Sequence, residues 1–260
     1  MISNPDETRM KTLLSGGGIL ADQLAKDFCV SPGEAADSRH HFAVYEPREG
    51  RRRFLETEPC FLKVCAFKNK LLFAGDARII RECRETFSDC DGAWFMEPAS
   101  LIRLDRMLNA YGYTVDKLHP FFIPLSAASV MPDPQYEIRW YDEEAIEAFR
   151  GDERFLKAYS FCGTAPDVIG AAAVKDGAIL GMAGASRDSG TMWQIGIDVV
   201  PEARGRGLGV LLVSLLKNEI LSRGRLPFYG TAVSHTISQN IAIRSGFKLA
   251  WVELGTAKTG

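Results

Sequence analysis

The run Val199-Val200-Pro201-Glu202-Ala203-Arg204-Gly205-Arg206-Gly207-Leu208-Gly209 (VVPEARGRGLG) joins two segments of different period. Upstream, Met192 to Val200 (MWQIGIDVV) is apolar and rich in β-branched residues, as a buried strand is; downstream, Val210 to Leu221 (VLLVSLLKNEIL) repeats leucine at helical spacing. Between them lies a loop almost without side chains. Glycines at 205, 207 and 209 let the backbone turn sharply, and the helix that follows directs its unpaired N–H groups and positive dipole end into the turn. Arg204 and Arg206 add charge that an anion would neutralise. The strand, loop and helix therefore form a cradle for a pyrophosphate. A dinucleotide fingerprint fits less well, because no second strand with a ribose-binding acid follows at the expected distance. A phosphate-loop ATPase fits less well still, since a Gly-Lys-Ser/Thr ending is absent.

The narrower pattern Arg204-x-x-Gly207-x-Gly209, after a strand ending in Val-x-Pro, resembles the acetyl-coenzyme A loop of the GNAT acetyltransferase superfamily. Asn240, followed by Ala242 and Gly246-Phe247, is similar to that superfamily's carboxy-terminal motif. The wider string, with Gly224-x-x-Pro-Phe-Tyr and Ser238-Gln239-Asn240, is more like the branch of glycine N-acyltransferase-like and zwittermicin-resistance-type acetyltransferases, which often carry a divergent amino-terminal domain. One position departs from the pattern. Many members place a tyrosine on the short helix to protonate the departing thiolate, whereas residues 240 to 245 read NIAIRS.

The resemblance implies an α/β protein in two parts: an accessory α/β domain over residues 1–130 and, over 131–260, a mostly antiparallel twisted sheet flanked by helices. It implies acetyl-CoA as co-substrate, no metal, and direct attack by a primary amine of a small molecule or peptide in a ternary complex. The coenzyme residues implied are Ile197, Val199, Arg204, Gly205, Arg206, Gly207, Leu208, Gly209 and Asn240, with the strand before the loop splayed from its neighbour to expose backbone groups. A longer acyl donor, or a coenzyme A-binding regulatory module without chemistry, are the alternatives.

Thioester aminolysis needs a base for the ammonium, a stabilised oxyanion and a protonated leaving thiolate. Two residues are candidates for the base. His235 carries an imidazole, a side chain able to relay a proton directly or through water, and Asp198 interrupts an apolar strand. Gln194 shares the face parity of Asp198 and is expected to line the acceptor pocket. Trp193 and Trp251 are expected in the core.

Charge excludes other classes of partner. In this 260-residue chain, 31 basic residues against 33 acidic ones give no broad field for nucleic acid or an anionic membrane. Arg51-Arg52-Arg53 reads as solvated surface. No apolar run approaches a membrane span and the amino terminus lacks the order of a secretion signal, so a cytoplasmic location is expected. The six cysteines form no Cys-x-x-Cys pair and read as buried free thiols. Cys60 and Cys65, even with His40-His41, match no zinc spacing.

Along the chain, helices are expected over Pro5–Leu14, Ile19–Phe28, Asp76–Phe87 and Ser100–Tyr111, the last ending at Gly112, and a hairpin over Phe61–Phe67 and Leu71–Ala74. A proline-rich bridge, Pro120–Pro124 through Pro134, is expected to forbid continuous helix or inner strand. Then come a strand over Tyr136–Trp140, a helix over Asp142–Tyr159 interrupted near Gly151, a meander over Val168–Lys175, Ala178–Ser186 and Thr191–Val200, the strand Pro227–Val233, a short helix Ser238–Ser245 and a last strand Lys248–Leu254. The apolar helices of the first half suit a homodimer surface as well as a core of their own.

Overall fold

A computed structural model describes residues 17–52, 60–125, 131 and 133–260. The helix expected over Pro5–Leu14, and Arg53, lie outside the described residues. Packing divides the chain into two compact units. One holds Gly17–Phe121, Ala232–Ser234 and Leu249–Gly260; the other holds Phe122–Thr231 and His235–Lys248. The boundary expected at residues 130–131 falls at 121–122 in this division, and Ala232–Ser234 also belong to the amino-terminal unit. The last twelve residues, Leu249–Gly260, pack with the amino-terminal unit.

The amino-terminal unit contains α1 (Gly17–Asp27), α2 (Pro32–Ala36), β1 (His41–Val44), the hairpin β2 (Leu62–Phe67) and β3 (Lys70–Gly75), α3 (Ala77–Phe87) and α4 (Pro98–Asn109). Lys68 and Asn69 turn the hairpin at φ of 51° and 60°, the left-handed pair that a two-residue loop between twisted strands requires. Asp76 caps α3 by accepting from Arg78 N at 2.9 Å, and Gly112 follows α4 at φ +74°. β1 runs parallel to β3, and β10 (Phe247–Lys258) pairs antiparallel with β2 through Glu253–Cys65.

Two expectations are corrected here. Arg52 is buried, not solvated: its Nε lies 2.6 Å from Asp27 Oδ2, its Nη2 2.5 Å from Glu253 Oε1, and its guanidinium 4.9 Å from the Trp251 ring centroid. A charge can be buried there because carboxylates meet it on two sides. The start of the proline-rich bridge, Pro120–Pro124, is the end of a strand, β4 (Tyr113–Pro124), because proline's fixed φ suits extended backbone and only its own ladder N–H is lost. Of the thiols, Cys60, Cys65 and Cys83 are buried and Cys29, Cys90 and Cys162 are half-buried. Burial pushes the Cys83 thiol up to about 12. Among the described residues no His, Cys, Asp or Glu cluster is arranged for a metal, and no helix is long and apolar enough to cross a membrane.

The second unit contains β5 (Glu137–Asp142), α5 (Glu143–Ile146), two 3-10 turns at 147–149 and 153–155, β6 (Asp167–Lys175), β7 (Ala178–Ser186), β8 (Met192–Val199), a 3-10 turn at 201–203, α6 (Leu208–Ser222), β9 (Leu226–Gly230) and α7 (Thr236–Arg244). β5 to β8 pair antiparallel in chain order, and β9 lies parallel to β8. The long helix expected over Asp142–Tyr159 is replaced by one short helix and the two turns. Gly151 adopts φ +84°, and Phe149, Phe155 and Tyr159 pack on one another instead of along a helix face. The apolar face of α6 (Leu212, Val213, Leu216, Ile220) forms one core with Ala171, Ala183, Trp193 and Ile195 from β6, β7 and β8. Trp193 and Trp251 are both buried, as expected.

Candidate functional site

The parallel ladder between β8 and β9 ends early. Its register runs from Met192–Leu226 to Ile195–Tyr229, while on its other edge β8 stays paired with β7 as far as Val199–Gly181. Backbone groups alternate between the two edges of a strand, and Val200 N donates to Leu180 O on the β7 side. The N–H and C=O groups of Ile197 and Val199 therefore face the β9 side, beyond the last rung. Arg204 Nε occupies Val199 O at 3.1 Å. The edge that remains is a row of backbone donors and an acceptor half-exposed along Ile197–Val199.

The loop follows at once. Gly205 and Gly207 sit at φ +78° and +81°, and a Cβ added at either would meet nothing within 4 Å, so the space above both is open. Gly207 is the N-cap of α6 and gives it no side-chain cap, which leaves the first-turn N–H groups directed at that space. Arg206 Nη2 donates to Glu202 O at 2.9 Å. Arg204 and Arg206 are thus each tied to the loop backbone by one nitrogen while their side chains remain exposed. Leu208 and Gly209 do something different. Leu208 is buried in the core, and a Cβ on Gly209 would stand 3.1 Å from Ile241 Cδ1 of α7 and 3.9 Å from Ile197 Cγ1. Gly209 serves close packing of the two helices against β8.

Gln194, Gly196 and Asp198 share the opposite face of β8. A Cβ on Gly196 would fall 1.8 Å from Lys157 O, and Asp198 Oδ2 accepts from Lys157 N at 2.7 Å and Ala158 N at 2.9 Å. His235 is exposed at the start of α7, with Nδ1 3.4 Å from Thr231 Oγ1. No hydrogen bond or ion pair joins His235 to Asp198 among the described residues. Asn240 is exposed on α7.

A pair that sequence reasoning did not single out stands at the vertex of the opening. Tyr229, partner of Ile195 in the last rung, is buried, and its hydroxyl lies 2.8 Å from Ser238 Oγ on α7. Burial pushes the phenol up; Ser238 opposes that, and the negative charge of Asp198 adds to it. In the sequence Tyr229 and Ser238 stand only as letters of the strings Gly224-x-x-Pro-Phe-Tyr and Ser238-Gln239-Asn240, and neither has an assigned role.

Residues 131–247 match the model of the Acetyltransferase (GNAT) family, which assigns an acyltransferase domain to that stretch, less than half of the chain. No curated protein matches. Among solved structures, the chain is similar to a GCN5-related N-acetyltransferase-like protein from Streptococcus suis, at 13% identity and TM-score 0.47, over 93% of this chain and 100% of that one. It is also similar to a GCN5-related N-acetyltransferase from Sphaerobacter thermophilus, at 17% identity and TM-score 0.46, over 63% and 57%. A third, from Kribbella flavida, has 15% identity and TM-score 0.44, over 60% and 63%. The chain therefore spans about three-fifths of the length of the last two.

Proposed function

We propose that this chain transfers an acetyl group from acetyl-CoA to a primary amine, with the donor held along the β8 edge and the α6 loop. The observation that carries the proposal is the end of the β8–β9 ladder at Ile195–Tyr229, immediately before an uncapped helix start with open space over Gly205 and Gly207. The residues present fit the donor. A pyrophosphate has backbone N–H groups of the α6 first turn and two tethered arginines to meet, and an amide-bearing arm has the groups of Ile197 and Val199 to pair with. Leu208 and Gly209 support that surface from beneath, and Asn240 lies on the neighbouring helix.

The reaction forms a C–N bond and breaks a C–S bond. The amine must arrive without its extra proton, and His235 takes it directly or through water. A backbone N–H of the β8 edge orients the thioester carbonyl and stabilises its oxygen as charge develops. The departing sulfur receives a proton from the Ser238–Tyr229 hydroxyl pair, in place of a helix tyrosine, and the proton that the attacking nitrogen sheds on becoming an amide restores the pair through water. Much of the rate then comes from holding donor and acceptor in reacting geometry.

The test is thiol release from acetyl-CoA with spermidine, glycine, lysine, kanamycin and a tetrapeptide amine as acceptors. Acetylated product with at least one of them supports the proposal. Tight acetyl-CoA binding with no product from any would contradict it and favour a binding module.

A further inference from the structure

The segment Lys157–Phe161 crosses the face of the sheet opposite α6, and its hold on that face is unusually explicit. Asp198 Oδ2 takes the N–H groups of Lys157 and Ala158; Asp167 Oδ2 takes those of Ser160, at 3.0 Å, and Phe161, at 2.7 Å. Two carboxylates, 31 positions apart in sequence and on different strands, thus satisfy four successive-pair amides of a segment that has no helix or ladder to satisfy them. Beneath it lies a row of glycines in register, Gly170–Gly184–Gly196, on β6, β7 and β8. A Cβ on Gly170 would fall 1.8 Å from the Tyr159 hydroxyl, on Gly184 2.1 Å from Ala158 O, and on Gly196 1.8 Å from Lys157 O. The strap lies where side chains would otherwise be.

The Asp198 end of this strap is fixed to the stretch of β8 that has left β9. An acceptor approaching the donor edge from this face meets the backbone of Lys157 and Ala158 before it reaches Ile197. We propose that Asp198 is a positioning residue whose carboxylate, with Asp167 as the second tether, holds the strap as the acceptor-side wall; it does not take the amine's proton. The inference rests on the acetyl-transfer reading, and it assigns one of the two sequence candidates for the base to a different task.

Asparagine separates the two roles, because its carbonyl oxygen can accept the same two N–H groups but cannot accept a proton at neutral pH. Hydrogen exchange over 157–161 and thiol-release kinetics with the five acceptors above are measured on wild type, Asp198→Ala, Asp198→Asn and Gly196→Ala. Asp198→Ala is expected to speed exchange at Lys157 and Ala158 by about tenfold or more, as loss of a hydrogen bond's protection does. It is also expected to raise the acceptor KM by about tenfold while the acetyl-CoA KM stays put. Asp198→Asn should restore both. Gly196→Ala, which pushes the strap away without touching a carboxylate, should reproduce the alanine effect.

Unchanged exchange in Asp198→Ala would overturn the tether. Loss of turnover in Asp198→Asn with protected amides would make Asp198 the base. If Asp198→Ala does not fold, Asp198→Asn and Gly196→Ala still decide the matter. If wild type releases no thiol with any acceptor, the acetyl-transfer reading fails, while exchange alone still judges the tether.

Discussion

Ile195 and Tyr229 form the last rung between two parallel strands, and β8 continues past it to Val199 with its β7 edge still fully paired. A strand paired on one edge alone exposes a short row of peptide groups at fixed spacing. Here the row runs directly into the start of a helix. The functional proposal reduces to that geometry, and the mutations below perturb its parts separately.

Gly207 and Gly209 should fail in different ways. Gly207→Asp places a carboxylate and a strained left-handed residue in the open space before α6, so acetyl-CoA affinity should fall at least about tenfold with the fold retained. Gly209→Asp instead drives a charge against Ile241 and should lower the melting temperature, by several degrees or more. Calorimetry and thermal melts on the two variants distinguish them. Equal affinity in a folded Gly207→Asp protein would remove the loop from the site.

Tyr229→Phe and Ser238→Ala each remove one hydroxyl of a buried pair. If the pair delivers the thiolate's proton, kcat should fall by about 10²-fold in each, with acetyl-CoA affinity held within about threefold. His235→Ala should lower kcat by a similar factor and displace the acidic limb of the rate profile. Full turnover in all three, with an unchanged pH profile, would leave proton transfer to water.

Lys217 is fully buried on α6, its Nζ donating to Ser245 O at 2.7 Å, and burial lowers its ammonium to about 8. An unfolded lysine titrates near 10.4, so between about pH 8 and 10.4 the unfolded chain binds more protons than the folded one. Stability should therefore gain a rising contribution from Lys217 across that window. Urea denaturation at intervals of pH, on wild type and Lys217→Met, checks this. A Lys217→Met profile that keeps the whole rise would contradict it.

Arg52 supports a different unit. Its removal leaves Asp27 and Glu253 buried together without their cation, so Arg52→Ala should cost about 3–5 kcal/mol, read as a drop in denaturation midpoint. A loss under about 1 kcal/mol would mean that the guanidinium is not buried as described.

These residues also mark how far the sequence could be read. β7 was expected over Ala178–Ser186 and spans those residues, because Asp176-Gly177 supplies the left-handed turn between two apolar runs of strand length. α6 and its loop were legible for the same local reasons. The segment 142–161 was not. Its composition favours helix, but its conformation depends on carboxylates at 167 and 198 and on a glycine row that only the sheet register brings together. Arg52 looked like surface because its partners stand 25 positions before it and 201 after. Tyr229 and Ser238 stood in the quoted strings, but their pairing was not legible, since a hydroxyl pair across a strand and a helix leaves no periodic trace.

The most direct test of the account is amide exchange, residue by residue, with and without saturating acetyl-CoA. Donor binding along β8 and the α6 loop predicts slowed exchange at Ile197, Val199 and the first-turn amides Leu208 to Val210, with β6 and the amino-terminal unit unaffected. Exchange at these five amides unchanged by acetyl-CoA, or protection confined to another part of the chain, would contradict it.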